Sequence, residues 1–332
     1  MPKTTVRDIS IDAGVSTATV SRVLNGKGAT SSKAKTKVMN SAKKLGYKIT
    51  ETGNEEIGNT ILLITATGFG ASTFSQVLSG IYDYAELYGY NVVHMQSRVT
   101  SGIDDIIPSI LSRKQVCGII VSHVTLYHEK IYKVIGKNIP IVQCSEYSEA
   151  IPCPYVSINN FQAAYDVVNF LNASGRKNIA LLNHNRSTLF SIKREEGFRA
   201  AMSDLGLPAR TKWIYNLSGI YDYGQALNAA QQLLSAKERP DAVFAVSDVY
   251  AMAILRAAKQ LGLSIPDDLA IVGFDNSEIS KMSEPALTTV NQPYYEIGHS
   301  TCSILTQMIN EHGANQPTDI LLNTELIVRS TT

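Results

Sequence analysis

The sequence predicts an α/β protein, with an N-terminal three-helix helix-turn-helix head ahead of two doubly wound parallel-sheet subdomains. Three observations carry that prediction. The first fifty residues hold 10 Lys/Arg against only Asp8 and Asp12, a net +8, while the remaining 282 hold 20 basic and 27 acidic residues, a net −7. From residue 60 onward, short β-branched runs alternate with helical patterns, the rhythm of βαβ units on a parallel sheet. That rhythm restarts near residue 178, and 332 residues exceed what one core comfortably holds. The expected divisions are a head over 1–47, a linker over 48–59 and a larger domain of two subdomains over 60–332.

In the head, Thr5-Val6-Arg7-Asp8 is a capping-box-like start for a helix with Ile9 and Ala13 on one face, stopped by Gly14. Ser16 then caps a second helix through about Asn25, whose apolar face is Val20, Val23 and Leu24. A third helix, Ser32 to Leu45, spaces Val38, Ala42 and Leu45 for the shared core and ends at Gly46, leaving Lys33, Lys35, Lys37, Lys43 and Lys44 solvated. Two short helices about a glycine turn, on a strongly basic module, imply DNA as the partner, because Lys and Arg gain affinity by releasing counterions. With the second helix in the major groove, Thr17, Ala18 and Arg22 meet base edges; Arg22 suits guanine, and the two small residues suit a thymine methyl or a single hydrogen bond. Thr5, Ser16, Thr19, Ser21, Asn25 and Ser31 are the candidate phosphate contacts, with helix capping the competing role, for Ser16 above all.

In the larger part, strands are expected at Thr60-Ile64, Asn91-Val93, Cys117-Val121, Ile139-Val142 and Tyr155-Ile158, then at Asn178-Leu182, Ala242-Val246 and Leu269-Phe274. Ligands of doubly wound sheets sit beyond the carboxyl ends of the strands, so two facing halves enclose one between them. The composition, 44% hydrophobic and 18% charged, is that of a globular protein. No apolar run approaches the roughly 20 residues of a membrane helix, and the start Met1-Pro2-Lys3 is not secretory, so a cytoplasmic location is expected. Cys117, Cys144, Cys153 and Cys302 form no C-x-x-C pair; Cys117 and Cys144 are expected to fill buried strands, and neither a metal nor a cofactor is expected.

The run Val6-Arg7-Asp8-Ile9 followed by Ala13-Gly14-Val15-Ser16-Thr17-Ala18-Thr19-Val20-Ser21-Arg22-Val23-Leu24-Asn25 resembles the DNA-binding head of the LacI/GalR family. Arg194-Glu195-Glu196-Gly197-Phe198, Val272-Gly273-Phe274-Asp275-Asn276 and the stretch Leu287–Gly298 extend the resemblance over nearly the whole chain. It implies a dimeric, operator-reading regulator, with a sugar- or nucleoside-binding core of the periplasmic-binding-protein type. The resemblance assigns effector hydroxyls to Arg194 and Asp275; an Arg fork and a carboxylate suit vicinal hydroxyls, whereas Arg194 alone would read as a surface ion-pair partner. Further candidates are Ser72 and Phe74 after the first strand, with Phe74 either a lid or a core residue, and Ser122, Ser145 and Ser247 at strand ends. Serines stand there where relatives carry Asn or Asp, which implies a pocket less polar than a hexose site. Phe190 and Tyr221 are loop candidates. The combined motifs are most similar to the cytidine-repressor subgroup, which implies a second DNA-bound regulator as partner. No tetramerising leucine stretch follows Thr332, so a homodimer is expected.

The linker departs from the family. Relatives place an Ala-Arg-x-Leu helix there, whose leucine wedges into the minor groove. Residues 48–59 instead hold two glycines, three glutamates and no leucine, which disfavours that helix and predicts a flexible acidic tether; the alternative is Ile57 as a poorer wedge. Two other function classes fit the sequence less well. Gly68-Phe69-Gly70 faintly resembles a dinucleotide fingerprint, but Thr73 takes the third glycine's place and Gln96-Ser97 that of the ribose-binding acid. None of the six histidines stands in a hydrolase or metal motif, so no enzyme is expected. A small-molecule binding protein without gene control would share the larger domain but has no use for the basic head.

Overall fold

The computed structural model describes residues 6–24, 30–45, 58–66, 71–97, 116–122, 132, 139–218, 222–311 and 318–332. It divides into two compact units, Met1–Asn59 with Leu111–Val116, and Thr60–Ile110 with Cys117–Thr332. The expected linker falls almost wholly outside the described residues, which include only Gly58 and Asn59 of it.

In the first unit, α1 is Val6–Ala13, α2 is Thr17–Leu24 and α3 is Ser32–Lys44. The spacing read from the sequence is what buries Ile9, Ala13, Val20, Val23, Val38 and Ala42 in one small core, with Val15 and Leu45 against it. Gly14, at φ +62°, makes the turn between α1 and α2, a backbone state that costs glycine little. Asp12 then ties α1 to α3: it accepts from Lys44 Nζ and Ser41 Oγ, both at 2.7 Å, and these bonds hold its carboxyl below the ordinary value.

The second unit holds two six-stranded sheets, forming an N-terminal and a C-terminal lobe. The first runs β11-β5-β4-β3-β1-β2 and is built from β1 Thr60–Ala66, β2 Asn91–Ser97, β3 Val116–Ser122, β4 Ile141–Cys144, β5 Tyr155–Ile158 and β11 Ile320–Leu322. The second runs β12-β10-β9-β8-β6-β7, from β6 Ile179–His184, β7 Ile214–Leu217, β8 Ala242–Ala245, β9 Ala270–Phe274, β10 Thr288–Asn291 and β12 Glu325–Ile327. Its strand pairs are parallel except β12, which runs antiparallel to β10 with Leu326 opposite Val290. Among the described residues, this unit's helices include α4 Ala71–Leu87, α5 Asn160–Ala173, α6 Leu189–Asp204, α7 Tyr223–Ser235, α8 Asp248–Gln260, the short α9 Glu278–Met282 and α10 Tyr294–Asn310.

All eight expected strands are present, with ends moved by a few residues. β4 begins only after Pro140, which has no N–H to give a ladder. Four strands had no sequence signal: β7, β11 and β12 are short, with only Leu217 of the three buried, and β10 is Thr-Thr-Val-Asn, polar by composition yet buried over its first three residues. Thr289 Oγ1 donates to Asp248 Oδ1 at 2.6 Å and the N–H of Thr288 donates to Thr331 Oγ1 at 2.9 Å, so these polar groups are satisfied inside the lobe by a carboxylate and a hydroxyl. Cys117 and Cys144 fill β3 and β4 as expected; burial pushes each thiol up to about 11.

The chain passes between the lobes three times: from β5 into α5, from β10 into α10, and from β11 to β12. α10 therefore returns to the first lobe, where it crosses α4 at unusually close range. A Cβ on Gly298 would stand 2.1 Å from the carbonyl oxygen of Val77, and one on Gly80 would stand 2.1 Å from that of Tyr295. The two glycines let two helix backbones touch.

Candidate functional site

α2 rests on Val20 and Val23, so Thr17, Ser21 and Arg22 are left exposed on its outer side. Ala18 lies one turn before Arg22 on that side; its side chain is outside the described residues, as are Thr5 and Asn25 altogether. Ser16 caps α2, accepting the Thr19 N–H at 3.1 Å, and its hydroxyl lies 2.9 Å from that of Thr19. Ser31 caps α3 through the N–H of Ala34 at 3.3 Å. Both capping serines are solvent-exposed, so the cap does not hide them from a polyanion. Lys33, Thr36, Lys37 and Asn40 line a shallow hollow on the outer face of α3.

In the second unit, a small cleft, partly open to solvent, is lined by Ser145, Glu146, Ile158, Asn160, Phe190, Arg194, Gln292 and Tyr294. Two of the three crossovers supply half of this lining: Ile158 and Asn160 flank the first, Gln292 and Tyr294 the second. At its centre Arg194 is only 4% exposed, so its charge has left water and needs partners. Its Nε donates to Asn160 Oδ1 at 2.9 Å and one terminal nitrogen to the Val246 carbonyl at 2.8 Å. The guanidinium carbon lies 3.5 Å from the Phe274 ring centroid and 5.0 Å from that of Phe190. Two guanidinium nitrogens are thus committed to protein acceptors, and the fork is not presented whole to a ligand.

The two motifs around Arg194 and Asp275 have packing reasons as well as chemical ones. Gly197 brings α6 onto α5, since a Cβ there would meet the Phe161 carbonyl oxygen at 2.1 Å, and Phe198 is fully buried beside it. Gly273 leaves room for the Asp248 carboxyl, whose Oδ1 would lie 2.4 Å from an added Cβ. Phe274 is the platform under Arg194, and Asp275, at φ +112°, turns its carboxyl to accept from Gln292 Nε2 at 2.8 Å and Tyr294 OH at 2.9 Å. Burial and the neighbouring Asp248 raise the Asp275 carboxyl well above the ordinary range, against the pull of Arg194. Burial likewise pushes Glu146 up to about 7, with Arg194 and backbone N–H groups opposing.

The structure brings Arg194, Phe190 and Ser145 together in the cleft wall and joins Asp275 to it through Gln292 and Tyr294. Three other candidates are placed elsewhere. Ser122 is fully buried against Cys144, Ser247 is buried and caps α8 through the Tyr250 N–H at 3.2 Å, and Phe74 packs half-buried on the lobe core, tilted on His94. The Ser72 side chain and Tyr221 lie outside the described residues. Sequence reasoning missed Glu146, Asn160, Gln292 and Tyr294, and these correct the expectation of a less polar pocket: the polarity absent from Ser145 and Ser247 is supplied by Glu146 beyond β4 and by the residues next to two crossovers. The available signal was positional, because each follows the carboxyl end of a strand within two or three residues. Among the described residues no group of three or more His, Cys, Asp or Glu is placed to hold a metal ion, and no helix is long and apolar enough to cross a membrane.

Comparison with known proteins is consistent from end to end. Residues 5–49 match the family of bacterial regulatory proteins called lacI, and residues 168–332 match the periplasmic binding protein-like domain. The chain is 31% identical to Catabolite control protein A of Priestia megaterium, covering 92% of this chain and 93% of that one. It is also 31% identical to the transcriptional repressor CytR of Escherichia coli (strain K12), covering 99% and 96%. Among solved structures, the transcriptional regulator CelR in complex with cellobiose aligns with a TM-score of 0.74 at 25% identity, over 99% of this chain and 100% of that one. The lac repressor dimer bound to operator and the anti-inducer ONPF has the same fold, with a TM-score of 0.72 at 24% identity, over 99% of both chains.

Proposed function

Since this chain belongs to the lacI family of bacterial regulatory proteins and is a DNA-binding transcriptional regulator, we propose that α2 reads its operator and that the cleft between the lobes takes a nucleoside or sugar effector. The protein works as a homodimer in the cytoplasm, with residues 1–47 as the head, 48–59 as a tether and 60–332 as the effector and dimerisation domain. The observation that carries the reading is Arg194: a buried guanidinium between two aromatic rings, beside the chain crossovers, in a cleft edged with two amides, a phenol and one carboxyl. Such a wall suits a neutral polyhydroxylated ligand, whose hydroxyls both donate and accept.

The motif resemblance to the cytidine-repressor subgroup puts nucleosides first, and the cellobiose complex of CelR makes disaccharides the second class to try. Effector binding shifts the lobes about the crossovers, and the movement reaches the heads; coupling of this kind is reciprocal, so DNA alters effector affinity by the same factor as the effector alters DNA affinity. The acidic tether keeps that factor low, near ~1 kcal/mol, and a second DNA-bound regulator supplements it.

The test is the thermal shift of the full chain against nucleosides, pentoses, hexoses and disaccharides, repeated with Asp275→Ala. A binder at 100 times its dissociation constant stabilises by about 2.7 kcal/mol. A shift lost in the variant supports the cleft, and a shift of equal size in the variant moves the site elsewhere. On the DNA side, Arg22→Ala removes operator preference, costing about 1–3 kcal/mol against the specific site, and leaves salt-sensitive non-specific binding intact. A mobility-shift titration on operator and scrambled duplexes reads both; an unchanged preference would move base readout off Arg22.

A further inference from the structure

The first turn of every α-helix presents N–H groups with no partner inside the helix, and the residue just before it commonly satisfies one with a side-chain oxygen. α5, α7 and α8 follow that rule, with Asn159, Asp222 and Ser247 accepting from Gln162, Gln225 and Tyr250. α6 does not. Its preceding residue, Thr188, makes no capping bond, and the Thr188 hydroxyl donates to Ser191 Oγ at 3.0 Å instead. The acceptor comes from the other lobe: Glu146, just beyond β4 in the first sheet, takes the Leu189 N–H on Oε1 at 3.1 Å, and the Phe190 N–H is directed to the same carboxyl.

Glu146 is 6% exposed, in the wall of the cleft, and α6 is the helix that carries both Phe190 and Arg194. We infer that Glu146 is a cross-lobe latch and positioning residue: by capping α6 from the opposite lobe, it places Phe190 and Arg194 in the cleft and ties their placement to lobe closure. A carboxylate suits the task, because a negative charge at a helix N-terminus gains from the aligned peptide dipoles as well as from the hydrogen bonds. Opening the lobes withdraws the acceptor and leaves the first turn of α6 without a side-chain cap, since the Thr188 side chain makes no capping bond to it. The effector-holding side chains are therefore ordered in the closed arrangement and loosened in the open one.

Amide hydrogen exchange on the full chain without effector tests this, using wild type, Glu146→Ala, Glu146→Gln and Thr188→Ala, with circular dichroism to establish that each variant folds. In Glu146→Ala, exchange at Leu189 and Phe190 rises at least tenfold, and the crossovers at Asn159–Asn160 and Gln292–Tyr294 exchange faster as well. Glu146→Gln restores most of the protection, because its amide oxygen still accepts; if Glu146→Ala does not fold, Glu146→Met, which keeps the volume but has no oxygen acceptor, takes its place. Thr188→Ala leaves the turn unchanged. Deprotection by Thr188→Ala with none in the Glu146 variants overturns the assignment, and so does an effect confined to Leu189 and Phe190 with the crossovers unmoved, which would make Glu146 a local cap. No effector enters the experiment, so a failed effector panel does not touch its outcome.

Discussion

Gly298→Ala lowers the unfolding temperature of the larger domain by about 6–12 °C, the upper part of the range for an overpacked core. The added methyl carbon would stand 2.1 Å from the Val77 carbonyl oxygen, 2.9 Å from its carbon and 3.2 Å from the Ile81 nitrogen, all backbone atoms of the facing helix. A side chain in that place could rotate away, but a helical carbonyl cannot move without breaking its own turn. The only relief is for α4 and α10 to separate, and that opens voids around the fully buried Val77, Ile81 and Ile297. Overpacking of a core costs about 1–3 kcal/mol, and more where the obstacle is rigid; each kcal/mol moves the midpoint by about 2–4 °C in a domain of this size. Gly224→Ala is the matched control. Its methyl meets only the Asp222 side-chain oxygen at 3.3 Å, and it lies inside a helix, where alanine is favoured by about 1 kcal/mol. Differential scanning calorimetry that found Gly298→Ala as stable as Gly224→Ala would refute the close crossing.

Arg194→Met abolishes effector stabilisation and destabilises the domain in a pH-dependent way. The substitution keeps an apolar stem against Phe274 while removing the cation, leaving Asn160 Oδ1 and the Val246 carbonyl without their donor. Glu146 and Asp275 lose the positive charge that opposes their upward shift. Their folded values lie above the ordinary 4.5 and 3.8, so the folded state binds protons more tightly than the unfolded chain. Stability from that uptake is fully present below about pH 4 and is lost as the pH rises through 7, where Glu146 gives up its proton. The variant should accordingly show its greatest loss at pH 8, about 3–5 kcal/mol as for a broken buried charge pair, and a smaller one at pH 5, where neutral carboxyls need no cation. Urea denaturation of both proteins at the two pH values measures this. An equal loss at both would mean that Arg194 is not neutralising buried carboxyls, and its role would be packing alone.

Much of this fold was legible in the sequence because it rests on short-range regularities. Spacing of Ile9, Val20, Val23 and Val38 identified three helices that share a core, and β-branched runs located eight strands, since period and branching follow directly from backbone geometry. Arg194 was recognised through its motif, but its burial was not, because nothing local distinguishes it from an arginine on a helix surface. β10 was missed for a related reason: threonines read as polar until Asp248 and Thr331 are placed beside them.

By itself, then, the sequence determined the class of the protein: charge separates a basic head from an acidic body, hydrophobic periodicity names the elements, and the head motif points to DNA. Only the tertiary structure decided the contents of the cleft. Glu146, Asn160 and the pair Gln292 and Tyr294 come from separate stretches of chain; the last three sit where the chain changes lobes, and Glu146 reaches them from the end of β4. The physical reason is one of range. Helix and strand signals come from neighbours a few residues apart, whereas Glu146 meets the N–H of Leu189 from 43 residues away, and Gln292 meets Asp275 from 17 away. Such contacts arise only once the hydrophobic core that spans the two lobes has formed and brought them together.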